Sequence, residues 1–82
     1  MSIGYNLRMS ERIRKIGVKI KLERGKRNLS QEKLSELSGI SKNFIGSIER
    51  GQAEPSITTL EQIAAALEME FDDLINISKF EL

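Results

Sequence analysis

The stretch Ser30–Gly51, SQEKLSELSGISKNFIGSIERG, decides the fold. It reads as two short helices. Ser30 stands as N-cap before the first and Ser41 before the second, each able to accept a hydrogen bond from a first-turn amide. Gly39 follows the first helix and Gly51 the second, where a left-handed residue ends a helix at least steric cost. Three residues, Gly39-Ile40-Ser41, join them. Two short helices with so tight a link form a helix-turn-helix, whose second helix can lie in a DNA major groove.

The same period continues outward. Ser10, with Glu11 behind it, predicts the start of a first helix in which Ile13, Ile16 and Ile20 share one face. Gly17 beside that stripe permits close approach of another helix, and Gly25 and Asn28 mark its end. In the second helix Leu34 and Leu37 are expected to face inward, with Ser35 and Gly39 small at the contact. In the third, Phe44, Ile45 and Ile48 form the buried side. Pro55 precedes Ser56, the cap of a fourth helix, where Ile57, Leu60, Ile63, Ala64 and Leu67 make a core face. A short fifth helix starts near Phe71, with Leu74, Ile75 and Ile77 apolar and Asp72 and Asp73 at its positive end; Glu70 is an indifferent cap. The predicted fold class is all-α, a five-helix orthogonal bundle. Residues 1–9 read as a flexible arm or helix extension, 10–77 as the domain and 78–82 as a tail.

The 82 residues contain no cysteine and no histidine, which removes thiol chemistry, disulfides and the usual neutral-pH acid–base group. With carboxylates scattered along the chain, neither an enzyme nor a metal or cofactor site is expected. No apolar run has the length of a membrane span and no signal peptide precedes the domain, so the expectation is a cytoplasmic protein, on the nucleoid when bound to DNA.

Charge is divided sharply. Residues 1–31 carry nine cations and two carboxylates, net +7; residues 32–51 balance; residues 52–82 carry one cation and seven carboxylates, net −6. A basic half favours a polyanion. The alternative is a pair of ordinary solvated helix faces.

On the third helix Lys42, Asn43, Gly46 and Ser47 lie opposite the apolar side. Lysine can donate to guanine, asparagine can pair with adenine, serine suits either; Gly46 either lets the backbone approach a groove or contributes nothing. Gln31, Gln52 and the start of the fourth helix at Ser56 and Thr58 are candidates for phosphate, with Glu54 opposing a strong clamp. Arg24 and Glu49 would make a fork of hydrogen bonds if the first and third helices bring them together; an exposed, unpaired Glu49 is the other reading.

Ile16-Gly17, Arg24, Leu29-Ser30-Gln31-Glu32-Lys33-Leu34, Ser38-Gly39-Ile40-Ser41, Ile48-Glu49-Arg50-Gly51, Pro55-Ser56 and Ile63-Ala64-Ala65-Ala66-Leu67 together resemble the XRE/Cro-type regulators over about residues 16–75. The resemblance implies a lambda-repressor-like domain that acts as a homodimer on a pseudo-palindrome of double-stranded DNA. It implies base-reading at Lys42, Asn43 and Ser47, a phosphate contact at Gln31 and an interhelical ion pair between Arg24 and Glu49. Three positions depart from the pattern: Glu23 replaces an apolar residue, so the first helix would end loosely; Asn28 replaces a glycine; Glu54 replaces a polar or basic residue. The chain runs only briefly past the fifth helix, which leads to the expectation of a small stand-alone member, such as a controller protein, an antitoxin or a minimal phage repressor. Ile75, Ile77, Phe80 and Leu82 are then a candidate dimer surface, the other reading being that they cap the domain's own core or form a loose tail. The competing function is an antitoxin or other interaction module whose tail binds a protein partner.

Overall fold

The computed structural model describes the backbone of residues 2–78 and the side chains of residues 11–78. Five helices follow one another: α1 (Ser2–Lys26), α2 (Gln31–Ser38), α3 (Lys42–Glu49), α4 (Ile57–Ala66) and α5 (Phe71–Ile75). Among the described residues there is no strand, and the chain is all-α.

Three helices begin at the serines the sequence marks. Ser30, Ser41 and Ser56 have extended backbones, and their side chains accept from the amides of Lys33, Phe44 and Thr59. Each bond satisfies one amide that the first turn would otherwise leave unpaired. Glu70 makes no such bond before α5. Ser10 is not a cap: α1 runs through it from Ser2. Residues 2–9 contain no proline, so nothing obliges the helix to start later.

Helix ends use left-handed residues. Gly39 at φ 79° closes α2, its amide donating to Ser35 O. Asn28, Gly51 and Glu68 have φ of 56°, 72° and 58°. At each, the next residue's amide reaches back five positions: Leu29 to Arg24 O, Gln52 to Ser47 O and Met69 to Ala64 O. This is the Schellman closure. Asparagine tolerates the conformation; glutamate at position 68 does so at a steric cost.

The core takes Ile20 from α1, Leu34 from α2, Ile45 and Ile48 from α3, Leu60, Ile63, Ala64 and Leu67 from α4 and its exit, and Leu74 from α5. Ile16, Leu29, Phe44, Phe71 and Ile75 pack around it. Gly17 is where α1 meets α3: a Cβ there would overlap the carbonyl of Ile48. Lys19 Nζ donates to the carbonyls of Asp73 and Asn76, tying α1 to the end of α5.

Several expected faces are corrected. Leu37 is 51% exposed and Ile57 67% exposed. The buried stripe of α2 continues from Leu34 to Ser38, one turn on, which turns Leu37 outward. Ser38, rather than Ser35 or Gly39, is the small residue buried at the helix contact; its hydroxyl accepts from Ile40 N and its carbonyl from Gln62 Nε2. Ile57 has the right period but, at the start of α4, it faces the open groove that it lines with Ile16, Leu60, Phe71 and Ile75. The end of α1 is also not loose at Glu23. Its carboxylate receives Arg27 Nη1 at 2.7 Å and Lys26 Nζ at 3.3 Å, while Arg27 Nε donates to Leu67 O at 2.7 Å. The Arg27 hydrogen bond, seconded by Lys26 and opposed by burial, holds the Glu23 carboxyl below its ordinary range.

Candidate nucleic-acid interface

The site is built on α3, whose two sides differ. The inner side ends in Glu49, a carboxylate 6% exposed. Arg24 Nε reaches its Oε2 at 2.8 Å and Arg24 Nη2 its Oε1 at 3.0 Å, a two-pronged fork between α1 and α3. Gln31 Nε2, from the first position of α2, donates to the same Oε1 at 2.9 Å. Arg24 Nη1 also donates to Leu29 O at 2.8 Å. One buried carboxylate thus joins three helices, and no buried polar side-chain atom among the described residues lacks a partner. The Glu49 hydrogen bond raises the Arg24 guanidinium further above its already high range. Such a network fixes helix orientation more than it adds net stability.

The outer side carries Lys42 and Asn43, both exposed, and half-buried Ser47. No hydrogen bond or ion pair engages the side chains of Lys42 or Asn43 among the described residues. Gly46 lies between these positions but is buried. A Cβ on it would meet Arg50 Nη1 at 3.1 Å and the Gln31 amide at 3.7 Å, so two side chains cover it and its backbone is not open to a groove.

The phosphate candidates fall into two sets. Gln52 is exposed; its Oε1 accepts from Arg50 Nε at 3.1 Å, and its amide nitrogen has no acceptor among the described residues. Thr58 is exposed in the first turn of α4. Gln31 and Ser56 are already engaged: Gln31 has spent one donor on Glu49, and the Ser56 hydroxyl accepts from Thr59 N and donates to Thr59 Oγ1. Gln31, Ser47, Arg50 and Gln52 form a continuous surface around Gly46, whereas no hydrogen bond links Ser56 or Thr58 to α3 among the described residues. Gly51 abuts α1 so closely that a Cβ would lie 3.1–3.2 Å from Arg14 Cα, Cβ and Cγ, which sets that cation beside the α3–α4 loop.

Sequence reasoning passed over Arg50, seeing only the exit of α3. Its spacing from Asn43, Gly46 and Ser47 (seven, four and three residues) was the available signal for a shared face.

The helix-turn-helix family profile (HTH_3) matches residues 20–74, from the C-terminal part of α1 into α5, and so includes both members of the ion pair. The chain belongs to this family of DNA-binding transcriptional regulators. The family's members here are regulators, not enzymes. The HTH-type transcriptional regulator SinR of Bacillus licheniformis is 39% identical over 62 residues, 74% of this chain and 56% of that protein. The immunity repressor of Bacillus phage phi105 is 35% identical over 60 residues, 73% of this chain and 42% of that protein. The chain therefore spans about half the length of these relatives. Among solved structures, the restriction-modification controller protein C.AhdI from Aeromonas hydrophila superposes with a TM-score of 0.74 at 35% identity, covering 76% of this chain and 94% of that one. The resemblance to XRE/Cro-type regulators and the lambda-repressor-like fold are thereby shown. No helix among the described residues is long and apolar enough to cross a membrane, and none of their His, Cys, Asp and Glu side chains gather in threes as metal ligands would.

Proposed function

We propose that the protein is a sequence-specific regulator of transcription that binds double-stranded DNA as a homodimer, with α3 in the major groove. Lys42, Asn43 and Ser47 meet base edges; Gln31, Gln52, Ser56 and Thr58 meet the phosphates on either side. The observation that carries this reading is the asymmetry of α3. Its inner side is held by the Arg24–Glu49–Gln31 network, while Lys42 and Asn43 on the outer side make no side-chain hydrogen bond among the described residues that DNA would have to break. The net +7 of residues 1–31 supplies the long-range attraction. The protein acts in the cytoplasm, on the nucleoid when bound.

Dimerisation has its own support. Ile16, Ile57, Phe71, Ile75 and Ile77, together with Arg12, line a groove of about 540 Å³ between α1, α4 and α5. Ile75 and Ile77 are the described part of the expected dimer surface; Phe80 and Leu82 lie outside the described residues. A two-fold dimer places two α3 helices about 34 Å apart, one turn of DNA.

Selection from random duplexes, with solution mass measured alongside, tests the proposal. The expected product is a pseudo-palindrome bound by two chains. A monomer bound without sequence preference overturns it.

A further inference from the structure

Arg50 is the cation of this surface that the family-derived assignment leaves without a role. It is exposed, and no carboxylate pairs with it among the described residues, in contrast to Arg24 and Arg27. Its guanidinium is nevertheless positioned. Nε donates to Gln52 Oε1 at 3.1 Å, and Nη2 stands 3.5 Å from Ser47 Oγ, the outer limit of a hydrogen bond. Nη1 lies over Gly46, 3.1 Å from where a Cβ would be, and has no acceptor among the described residues.

The direction matters. A helical side chain leans back over the turn before its own Cα. Arg50, the C-cap of α3, therefore delivers its charge to the middle of the outer face, between Gln31 and Ser47, rather than to the far end of the helix. The missing side chain at Gly46 makes the seat. Neutral partners hold the fork at one edge and leave the other free.

We infer that Arg50 is a further base-reading residue, donating its free edge to guanine O6 and N7, and that Gly46 is the seat that holds it for this. The inference rests on the proposed placement of α3 in the major groove. The Nε edge of the fork faces Gln52 at the flank, while Nη1 and Nη2 reach Gly46 and Ser47 on the face that carries Asn43, which points that end at a base edge.

The test compares the wild type with Arg50→Ala, Arg50→Lys, Gly46→Ala and Asn43→Ala on the selected duplex, on that duplex with each guanine replaced in turn, and on scrambled DNA. Arg50→Ala is expected to lose about 10- to 100-fold on the selected duplex, to lose its preference at one guanine per half-site, and to change far less on scrambled DNA. Arg50→Lys keeps the charge without the fork, so it recovers the scrambled-DNA affinity and not the guanine preference. Gly46→Ala favours the helix and lifts the guanidinium, so the same preference falls while the melting temperature holds or rises. Equal loss on all duplexes for Arg50→Ala, with the salt slope shallower by about 0.9, makes Arg50 a phosphate contact and overturns the inference. An unchanged guanine preference in Gly46→Ala overturns the seat. If Asn43→Ala shifts the selected sequence and Arg50→Ala does not, the inference fails and the function stands; if the wild type selects no sequence, the function itself fails.

Discussion

The two sides of α3 use similar side chains to opposite ends. On the inner side Arg24 forks onto Glu49 between α1 and α3, and Glu49 is 6% exposed; Gln31 lies between the two sides, giving one donor to Glu49 while its amide also borders Gly46. On the outer side Lys42, Asn43, Ser47 and Arg50 are partly or fully exposed, and their few bonds go to neutral neighbours. An interface that must recognise something needs its polar groups presented but uncommitted. The difference predicts that substitutions on the inner side act on stability, and those on the outer side on DNA.

The largest effect should come from Glu49→Ala. It leaves Arg24, whose side chain is 15% exposed, without its carboxylate, and losing one member of a buried pair costs about 3–5 kcal/mol. Urea denaturation should show a correspondingly lower midpoint at an unchanged slope. A loss within 0.5 kcal/mol would mean that the inner side braces nothing.

Gly17→Ala should follow. The added methyl has to displace the Ile48 carbonyl, and overpacking of this kind costs about 1–3 kcal/mol. Calorimetry should find a lower Tm, and DNA affinity should fall only as far as the folded fraction does.

Asn43→Ala should show the reverse pattern. Stability should change by less than about 0.5 kcal/mol, while binding loses about 1–3 kcal/mol at one base position. Fluorescence anisotropy on matched and single-substituted duplexes separates this from a general loss.

The remaining effects are smaller and lie away from α3. Glu68→Gly relieves the φ of 58° and should stabilise by up to about 1 kcal/mol, less the entropy glycine adds to the unfolded chain. The pH profile should carry the mark of Glu23. Its carboxyl titrates lower in the folded state than its ordinary 4.5, so the unfolded chain binds more protons there. Its contribution is complete above that value and fades as pH falls through the lower folded-state value. Glu23→Gln should lower stability at neutral pH and flatten this acid limb, so that the two proteins converge as the pH falls.

Local signals in the sequence were the legible ones. The serines at 30, 41 and 56 and the glycines at 39 and 51 are read from their immediate neighbours, because a cap is satisfied within one turn. Faces were legible where a helix had neighbours along its length. At Leu37 and Ile57 the period was right, or nearly so, but burial depended on which elements lay over the end of a short helix. Ser10 had the chemistry of a cap without the chain break a cap requires. Gly17 announced a close approach but not Ile48 as its partner, since that contact joins residues far apart in the chain. In the candidate site Lys42 and Asn43 could be placed from helical phase alone. The cover on Gly46 could not, because it depends on how far Arg50 reaches back.

The central claim is that the outer side of α3 meets DNA while the inner side does not. Titrating the selected duplex into isotope-labelled protein and following side-chain NMR signals tests it directly. The account predicts large shifts for the Asn43 and Gln52 amides and the Lys42 and Arg50 N–H groups, with the Arg24 Nε–H signal bonded to Glu49 nearly unmoved. Shifts confined to α5 and the groove beside it, with the Asn43 amide unmoved at saturation, would contradict it.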